Sequence, residues 1–599
     1  MSSAHPPRFL GGYGPAAVVG VALLLVSTYV PSVSKTEQVS VLGSEQSREA
    51  SALSGDETAS EDSADPLALG DTGVSGDLGD GGTTDPGGTS GTGTASNGTT
   101  GTTKAGTTKT GANTGATQVA AAPVTAPGGA VVAPGQTVEC GAQQVKGDPY
   151  APPCYKFGGG NNGGSTSLGV TADTINITIR EGTFDKGVID VISKAALKQG
   201  ASNFLAGETP EIVNETILGL IDYFNARYEF YGRKLKLNWI RPKGDLVNEI
   251  LGGGQDGAEA DAITAATEIK AFADLSALSP PYADALSRRG VIAVGAPYMS
   301  KEWMSSRAPY QWSWFTDCNT IVDTVSSYYI TKLGGRPASL AGGDLAGRPR
   351  KVALVAPDSD WFQRCVDGAV AQLRQGVPGE ETSLEPFKYK LDLNSMSPQA
   401  YALLPQLVAS GVTTVVCACD PMMLLFLTAK AREQGFQPEW VSTGVAFTDQ
   451  DAVAQIFDQS NWNGAFGVSF GGNTLDLSGG PGYRAFKSTR PNAAPSKTVE
   501  ALFLQIQLLA IGIQMAGPNL TPKTFEAGMF KYPVHSGPAG TWDFAPNDYT
   551  GPGDAREIWY SAGGASAATG GKGTWVDPSG GRTRYRAGQF SGDPVSGGR

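Results

Sequence analysis

Between Lys351 and Gly435 the chain alternates twice between a short apolar run and a longer segment with helical periodicity. The runs KVALV and TTVVCAC each end at a polar turn, and Asp358, Asp360 and Asp420 stand where the next helices begin. Strands buried on both faces read as unbroken apolar runs, whereas amphipathic helices repeat every 3.6 residues. The pattern therefore predicts two consecutive strand–turn–helix units.

The same alternation continues on both sides of this stretch. Further strands are predicted in 168–182, 233–240, 291–297 and 438–447. Helices are predicted in 211–228, in 260–271, directly after Ser279 and in 498–516. The last of these is apolar all round, so we expect it in the core or at an interface. Alternating strands and helices imply parallel sheets covered on both faces, whose ligands bind outside the carboxyl ends of the strands.

The N-terminal part has a different composition. Residues 16–30 (AAVVGVALLLVSTYV) are almost wholly apolar, so 1–34 is interpreted as either a cleaved export signal or an uncleaved membrane anchor. From 35 to 167 the chain consists mainly of Gly, Thr, Ser and Asp. Such a segment buries too little apolar surface to fold, which predicts a disordered linker. Cys140 and Cys154 bound a small Pro-rich loop within it, and export would favour a disulfide there.

Charge and residue usage exclude several classes of function. The net charge is −12 without a basic block, which argues against nucleic acid as a partner. The only two histidines are His5 and His535, and no nucleophile–base pair is visible. We therefore expect no enzyme, no catalytic residue, no metal and no cofactor.

Four further cysteines stand near one edge of the second group of strands. Cys318–Cys365 is one candidate disulfide, although spacing does not fix the connectivity. Cys417 and Cys419 are expected not to pair with each other, because an extended strand holds their Cα atoms about 6.5–7 Å apart. Their C-x-C spacing also argues against a zinc site.

The order of elements resembles the periplasmic-binding-protein family of the leucine/isoleucine/valine-binding type, the substrate-binding proteins of ABC transporters with the type 1 fold. Four passages carry the resemblance: GVTADTINI (169–177), IDYFNARYEFYGRKLKL (221–237), PDSDWF (357–362) and SGPAGTWDF (536–544). The resemblance covers roughly 168–560.

The resemblance implies an α/β fold of two Rossmann-like lobes joined by three crossing segments, with the ligand in the interlobe cleft. The expected division assigns 168–316 and 470–540 to lobe 1, and 317–469 and 541–599 to lobe 2. The implied function is an extracytoplasmic receptor at the cell surface, secreted or anchored by its N-terminus. It would deliver an amino acid, an amide or an aromatic acid to an ABC permease. The alternative is a sensing module of the same fold that signals to a membrane or cell-wall partner.

Polar and aromatic residues at the predicted strand ends are the candidate ligand contacts. Helix starts offer free N–H groups that suit a carboxylate, and the acids there suit an ammonium or amide group. The same serines and acids also fit as helix caps, and the two roles can coexist. Tyr298 and Trp303 stand where the family has small hydroxyls, which suggests a larger or more aromatic ligand. The predicted contacts are Ser276, Ser279, Tyr298, Asp360, Trp361, Asp420 and Phe447.

Overall fold

The computed structural model describes residues 142–181, 207–250, 252–377, 379, 384–392, 395–472 and 477–597. The predicted signal or anchor segment, Cys140 and most of the predicted linker lie outside these residues. The turn that follows the first strand, from residue 182 onward, also lies outside them.

The first sheet has five parallel strands in the order β2-β1-β3-β4-β5. These strands are β1 (Thr174–Arg180), β2 (Lys234–Ile240), β3 (Ala273–Ala277), β4 (Ile292–Gly295) and β5 (Gln311–Trp312). β3 and β4 are buried along their whole length, as expected for inner strands covered on both faces. Each strand found within a predicted range is shorter than that range, because the residues at one or both ends of the range already belong to the connecting turns.

The second sheet has seven strands in the order β14-β13-β10-β9-β8-β6-β7. Five are parallel to one another: β6 (Val352–Pro357), β7 (Glu385–Tyr389), β8 (Thr414–Cys417), β9 (Glu439–Ser442) and β10 (Phe466–Ser469). Two antiparallel strands extend the sheet beyond β10, namely β13 (Arg556–Ala565) and β14 (Lys572–Val576). A separate hairpin joins β11 (His535–Gly537) to β12 (Gly540–Trp542).

Helices connect the strands and cover the sheets. The first seven are α1 (Pro210–Arg227), α2 (Leu246–Ile250), α3 (Gln255–Ile263), α4 (Pro280–Arg288), α5 (Lys301–Ser305), α6 (Cys318–Lys332) and α7 (Gln363–Gly376). They are followed by α8 (Met396–Ala409), α9 (Pro421–Glu433), α10 (Asp451–Ala454), α11 (Gln459–Trp462), α12 (Pro481–Thr489), α13 (Val499–Ala516) and α14 (Pro522–Met529). The helix predicted in 260–271 begins earlier, at Gln255, and ends in a wider π-helical turn, Thr264–Glu268.

Three segments cross between the two sheets, as predicted for two lobes. Residues 313–317 lead from β5 to α6, which packs with α7 against the second sheet. The described residues 470–472 and 477–480 belong to the return to α12, which packs on α1 of the first lobe. Residues 543–555 lead from the hairpin to β13. The chain is therefore a pair of α/β lobes, one with a parallel sheet and one with a mainly parallel sheet.

The apolar helix α13 lies in the core, which confirms the prediction for 498–516. Most of it is buried inside the fold, and it is the one helix in the described residues that is long and apolar enough to cross a membrane. Its polar residues are used inside the protein. Gln505 Nε2 donates hydrogen bonds to the carbonyls of Leu275 at 2.9 Å and Val294 at 2.6 Å. These bonds fix the helix against β3 and the end of β4.

The segment 142–157 packs against the folded body, although its composition placed it in the linker. Tyr150 is 2% exposed, stacks on Trp542 with a centroid distance of 4.5 Å, and donates a hydrogen bond to the Gly540 carbonyl at 2.7 Å. Asp148 is also buried and accepts from the Tyr150 amide at 3.0 Å. A few anchoring side chains are therefore enough to order a Pro-rich segment.

Candidate functional site

A large cavity lies between the carboxyl ends of the strands of the two sheets. Its empty volume is about 1230 Å³, with open solvent at its mouth included. Lobe 1 contributes residues that follow β3 and β4, among them Leu278 and Pro297. The second lobe contributes residues that follow β6, β8 and β9, among them Trp361 and Val445. This is the position at which parallel α/β sheets bind ligands.

The walls of this cavity are almost entirely apolar. Aliphatic and aromatic side chains such as Ile321, Phe362 and Met396 form most of the surface. Among the described residues that line it, Asp420 alone carries a charged side chain. In a cavity of this kind, ligand binding is favoured mainly by the removal of apolar ligand surface from water.

Asp420 is held by the start of the helix that it caps. Its Oδ1 accepts hydrogen bonds from the amides of Met422 at 2.8 Å and Met423 at 3.2 Å, and Pro421 begins helix α9. Its Oδ2 accepts from the Tyr389 hydroxyl at 2.6 Å. Burial raises the pKa of the Asp420 carboxyl above its ordinary value, against the effect of these hydrogen bonds. The predicted capping role is confirmed, and the proposed ligand contact stays a prediction.

Ser276 and Ser279 belong to a buried network inside lobe 1. The Ser276 hydroxyl donates to Asp274 Oδ1 at 2.8 Å and accepts from the Arg180 amide at 2.9 Å. The Ser279 hydroxyl donates to Glu249, which also forms an ion pair with the Arg180 guanidinium at 2.7 Å. Burial raises the pKa of Asp274. Both hydroxyls are thus engaged, and neither serine lines the large cavity.

The other two helix starts near the cavity are also occupied. Helix α4 begins with Pro280 and Pro281, which have no amide hydrogen to offer. Ahead of α7 the amides of Phe362 and Gln363 both donate to the Ser359 carbonyl at 3.0 Å. Asp360 is exposed and lines none of the cavities found in the described residues.

Tyr298 bridges the two lobes. Its hydroxyl accepts a hydrogen bond at 3.1 Å from the amide of Ala446, which belongs to the turn after β9. Tyr298, Ala446 and Phe447 have φ angles of 59°, 48° and 58°, a left-handed backbone that costs free energy for residues other than glycine. Burial raises the pKa of Tyr298. Strained residues of this kind cluster at functional sites, and here they meet on both sides of the cleft.

A second cavity lies on the other side of the Tyr298 bridge. Its empty volume is about 940 Å³, again with open solvent included, and it is lined by Tyr298, Phe447 and residues of the crossing segments. Two acids, Asp449 and Glu500, also line it, and burial raises the pKa of each carboxyl. Asp449 Oδ2 accepts from the Ser469 hydroxyl at 2.6 Å. This cavity is therefore more polar than the large one.

Two disulfides lie at the wall of the large cavity. Cys318–Cys365 joins α6 to α7 with a Cα–Cα distance of 6.0 Å, in agreement with the candidate pair. Cys417 and Cys419 also form a disulfide, so the expectation that they do not pair is wrong. The reason is that β8 ends at Cys417, and the chain turns within the next two residues. The turn brings the two Cα atoms to 5.0 Å, within the range of a disulfide.

Cys154 is also disulfide-bonded, whereas Cys140 lies outside the described residues.

Four of the predicted contacts line one or both of the two cleft cavities, namely Tyr298, Trp361, Asp420 and Phe447. Ser276 lines only a small cavity inside lobe 1. The sequence reasoning missed most of the apolar wall, including Leu278, Pro297 and Val445. The rule that ligands sit at strand ends would have located these positions, because each stands within three residues of a strand end.

Two parallel-stranded lobes with a cavity between their strand ends define a class of two-lobed, ligand-binding α/β proteins. A family model described as periplasmic binding protein matches residues 219–556, more than half of the chain. The chain belongs to this family, whose members are extracytoplasmic solute-binding receptors and not enzymes. A comparison with curated proteins gives no match.

Several solved structures are similar to this chain. One is a fatty acid ABC transporter substrate-binding protein from Thermomonospora curvata, at 14% identity and a TM-score of 0.48, covering 72% of this chain and 96% of that one. Another is a solute-binding protein from R. palustris in complex with 4-hydroxybenzoate. It has 13% sequence identity and a TM-score of 0.47, and the match covers 70% of this chain and 98% of that one. A third is a branched-chain amino acid transporter substrate-binding protein from Streptococcus pneumoniae in complex with isoleucine. It has 14% sequence identity and a TM-score of 0.44, and the match covers 68% of this chain and 100% of that one. At these identities the likeness concerns the fold alone.

Proposed function

We propose that the protein captures a small molecule in the large interlobe cavity and delivers it to the membrane permease of an ABC importer. The observation that carries this proposal is the cavity itself. It is apolar, it lies at the carboxyl ends of both sheets, and each lobe supplies part of its wall. A ligand bound there would contact both lobes and so favour their closed arrangement. The N-terminal apolar segment would hold the receptor outside the cytoplasm, as an anchor or as a cleaved export signal.

The proposed lobe boundaries are 168–316 with 470–540 and 317–469 with 541–599. The grouping of β1–β5 in one sheet and of β6–β10 with β13 and β14 in the other supports this division. Within the cleft, Tyr298 and Trp361 are proposed as flat walls against the ligand, and Phe447 as a wall of the smaller cavity. Asp420 would shape the pocket from its capped position.

A steric block at Ala369 tests the proposal. Ala369 lines the large cavity on helix α7, whereas Ala371 lies on the same helix and is exposed. Ala369→Trp should fill cavity space and abolish ligand binding, while Ala371→Trp should bind like the wild type. Both variants should fold, because the first places the indole in empty volume and the second in solvent.

The measurement is the shift of the melting temperature of the full chain across a ligand library. The library contains amino acids, amides, aromatic acids, short peptides and uncharged apolar compounds. A ligand present at 100 times its Kd should add about 2.7 kcal/mol to the free energy of unfolding. An equal shift in Ala369→Trp and in the wild type would contradict the assignment of the cavity.

A further inference from the structure

The charged side chains that line the two cavities all have the same sign. They are Asp420 in the large cavity and Asp449 and Glu500 in the smaller one, and the described lining residues include no Lys, Arg or His. A ligand carboxylate in this cleft would lose its hydration and meet these acids without a cationic partner. The cleft is therefore unfavourable to anions.

The polar groups that usually replace water around a carboxylate are also engaged elsewhere. Asp420 accepts from the first amides of α9. The first two residues of α4 are prolines, which have no amide hydrogen, and the amides of Phe362 and Gln363 ahead of α7 donate to a backbone carbonyl. The hydroxyls of Ser276 and Ser279 donate to carboxylates inside lobe 1.

Asp420 is equally unsuited to hold a ligand cation. Both of its oxygens already accept hydrogen bonds, from two amides and from the Tyr389 hydroxyl. The surfaces around it are aliphatic or aromatic, so an ammonium group would give up its water and gain only one carboxylate, whose lone pairs are mostly taken by these three donors. Charge of either sign is thus disfavoured in the large cavity.

The cavity also extends across the cleft. Its lining runs from Leu278, which follows β3 in lobe 1, to Met396 at the start of α8 in lobe 2, so an extended hydrocarbon would contact both lobes. Each buried methylene group should raise the affinity about fourfold, until the chain fills the space.

We propose that the large cavity takes an uncharged, predominantly hydrocarbon molecule and discriminates against the corresponding carboxylate and amine. This assignment of a ligand class rests on the proposed function of the cavity. It narrows the candidates from amino acids and aromatic acids to neutral lipid-like compounds.

The test uses matched compounds that differ only in their polar end. 1-Decanol, decanoate and decylamine compete with the neutral fluorescent probe N-phenyl-1-naphthylamine for the full-length protein at neutral pH. We expect the alcohol to bind at least about tenfold more tightly than either charged compound, since a charge must be desolvated beside the apolar wall. Affinities of the alcohols from octanol to dodecanol should rise about fourfold per added methylene.

Two asparagine variants separate the contribution of Asp420 from a general charge effect. Asp420→Asn keeps an N-cap acceptor for the amides of α9, so the variant should fold and should bind decanoate more tightly than the wild type does. Asp360→Asn removes an exposed acid outside the cavity and should leave all three affinities unchanged.

The outcomes distinguish the ligand class from the receptor function. One outcome is that decanoate or decylamine binds the wild type as tightly as decanol does and that Ala369→Trp abolishes this binding. The proposal of an uncharged ligand would then be wrong, and the proposal that the large cavity is the binding site would be kept. If the probe and the alcohols bind Ala369→Trp as they bind the wild type, the cavity is not the binding site and both proposals fall.

Discussion

Asp148 gives the protein a pH-dependent stability that a single substitution should remove. The carboxyl is buried beneath the segment 142–157, where Oδ2 accepts from Gln507 Nε2 at 2.5 Å and from the Tyr228 hydroxyl at 3.3 Å. Hydrogen bonds from these neutral donors lower the pKa of the carboxyl, but the loss of solvent around it raises the pKa by more. Burial raises the pKa of Asp148 from its ordinary 3.8 to about 6.

The sign of the effect follows from proton binding. Between pH 3.8 and about 6 the folded state holds a proton on Asp148 that the unfolded state has lost. The free energy of unfolding therefore falls as the pH rises through this window. Above the window, Asp148 causes no further change in the free energy of unfolding. A shift of about two pKa units corresponds to about 3 kcal/mol.

Asp148→Asn should restore this stability at neutral pH. Gln507 Oε1 is buried without a hydrogen-bond partner within the described chain. A flip of the Gln507 amide would let Oε1 accept from the new side-chain NH₂ group, and the Tyr228 hydroxyl can rotate to suit. The variant thus keeps a hydrogen bond between residues 148 and 507, leaves one buried Gln507 atom unpaired as in the wild type, and loses the charge that burial disfavours.

The assay is urea denaturation of the full chain at several pH values, and the quantity is the variant's free energy of unfolding minus that of the wild type. This difference should rise by about 3 kcal/mol between about pH 4 and pH 6.5 and then remain level. Asp358→Asn, an exposed carboxyl, is the control, and should change the stability by less than about 0.5 kcal/mol at every pH. A difference for Asp148→Asn that is independent of pH would refute the reasoning.

Three further variants should change the stability of the protein by stated amounts. Tyr298→Phe removes the acceptor of an amide across the cleft and should cost about 1 kcal/mol in thermal denaturation, so an unchanged melting temperature would count against the bridge. Arg364→Ala breaks an interlobe ion pair with Glu302 at 3.6 Å. Both side chains are mostly exposed, so the loss should stay below about 0.5 kcal/mol, and a loss above 1 kcal/mol would contradict this view. Replacing both Cys318 and Cys365 by Ser opens a loop of 47 residues and should cost about 4 kcal/mol in urea denaturation, whereas a loss below about 1 kcal/mol would show that loop closure matters little.

The sequence predicts the fold well because its signals are local. The apolar runs, the Pro that begins helix α9 and the all-apolar helix α13 each determine an element without reference to distant residues. The order of these elements then restricts the topology to two lobes of parallel strands.

The chemistry of the site is harder to predict, because it depends on contacts inside the fold, several of them between residues that are distant in the chain. Ser276 and Ser279 have the composition and position of ligand contacts. Their hydroxyls nevertheless face Asp274 and Glu249, and the second of these stands 30 residues before Ser279. Neither Glu249 nor Arg180 carries a local signal that it will be buried beside these serines. A hydroxyl at a strand end is available to a ligand only when no internal partner claims it.

The two acidic turns of the second lobe show how turn length decides what an acid does. Three residues separate the end of β8 at Cys417 from the start of α9 at Pro421, so Asp420 stays at the sheet edge, where Tyr389 from β7 reaches it. Five residues separate Pro357 from Gln363, and this longer turn carries Asp360 out into solvent. Similar acidic turns therefore yield one half-buried cap that borders the large cavity and one exposed acid. The number of residues between the strand end and the helix start separates these two outcomes. This number depends on where the strand ends and the helix begins, and the composition of the turn does not show it.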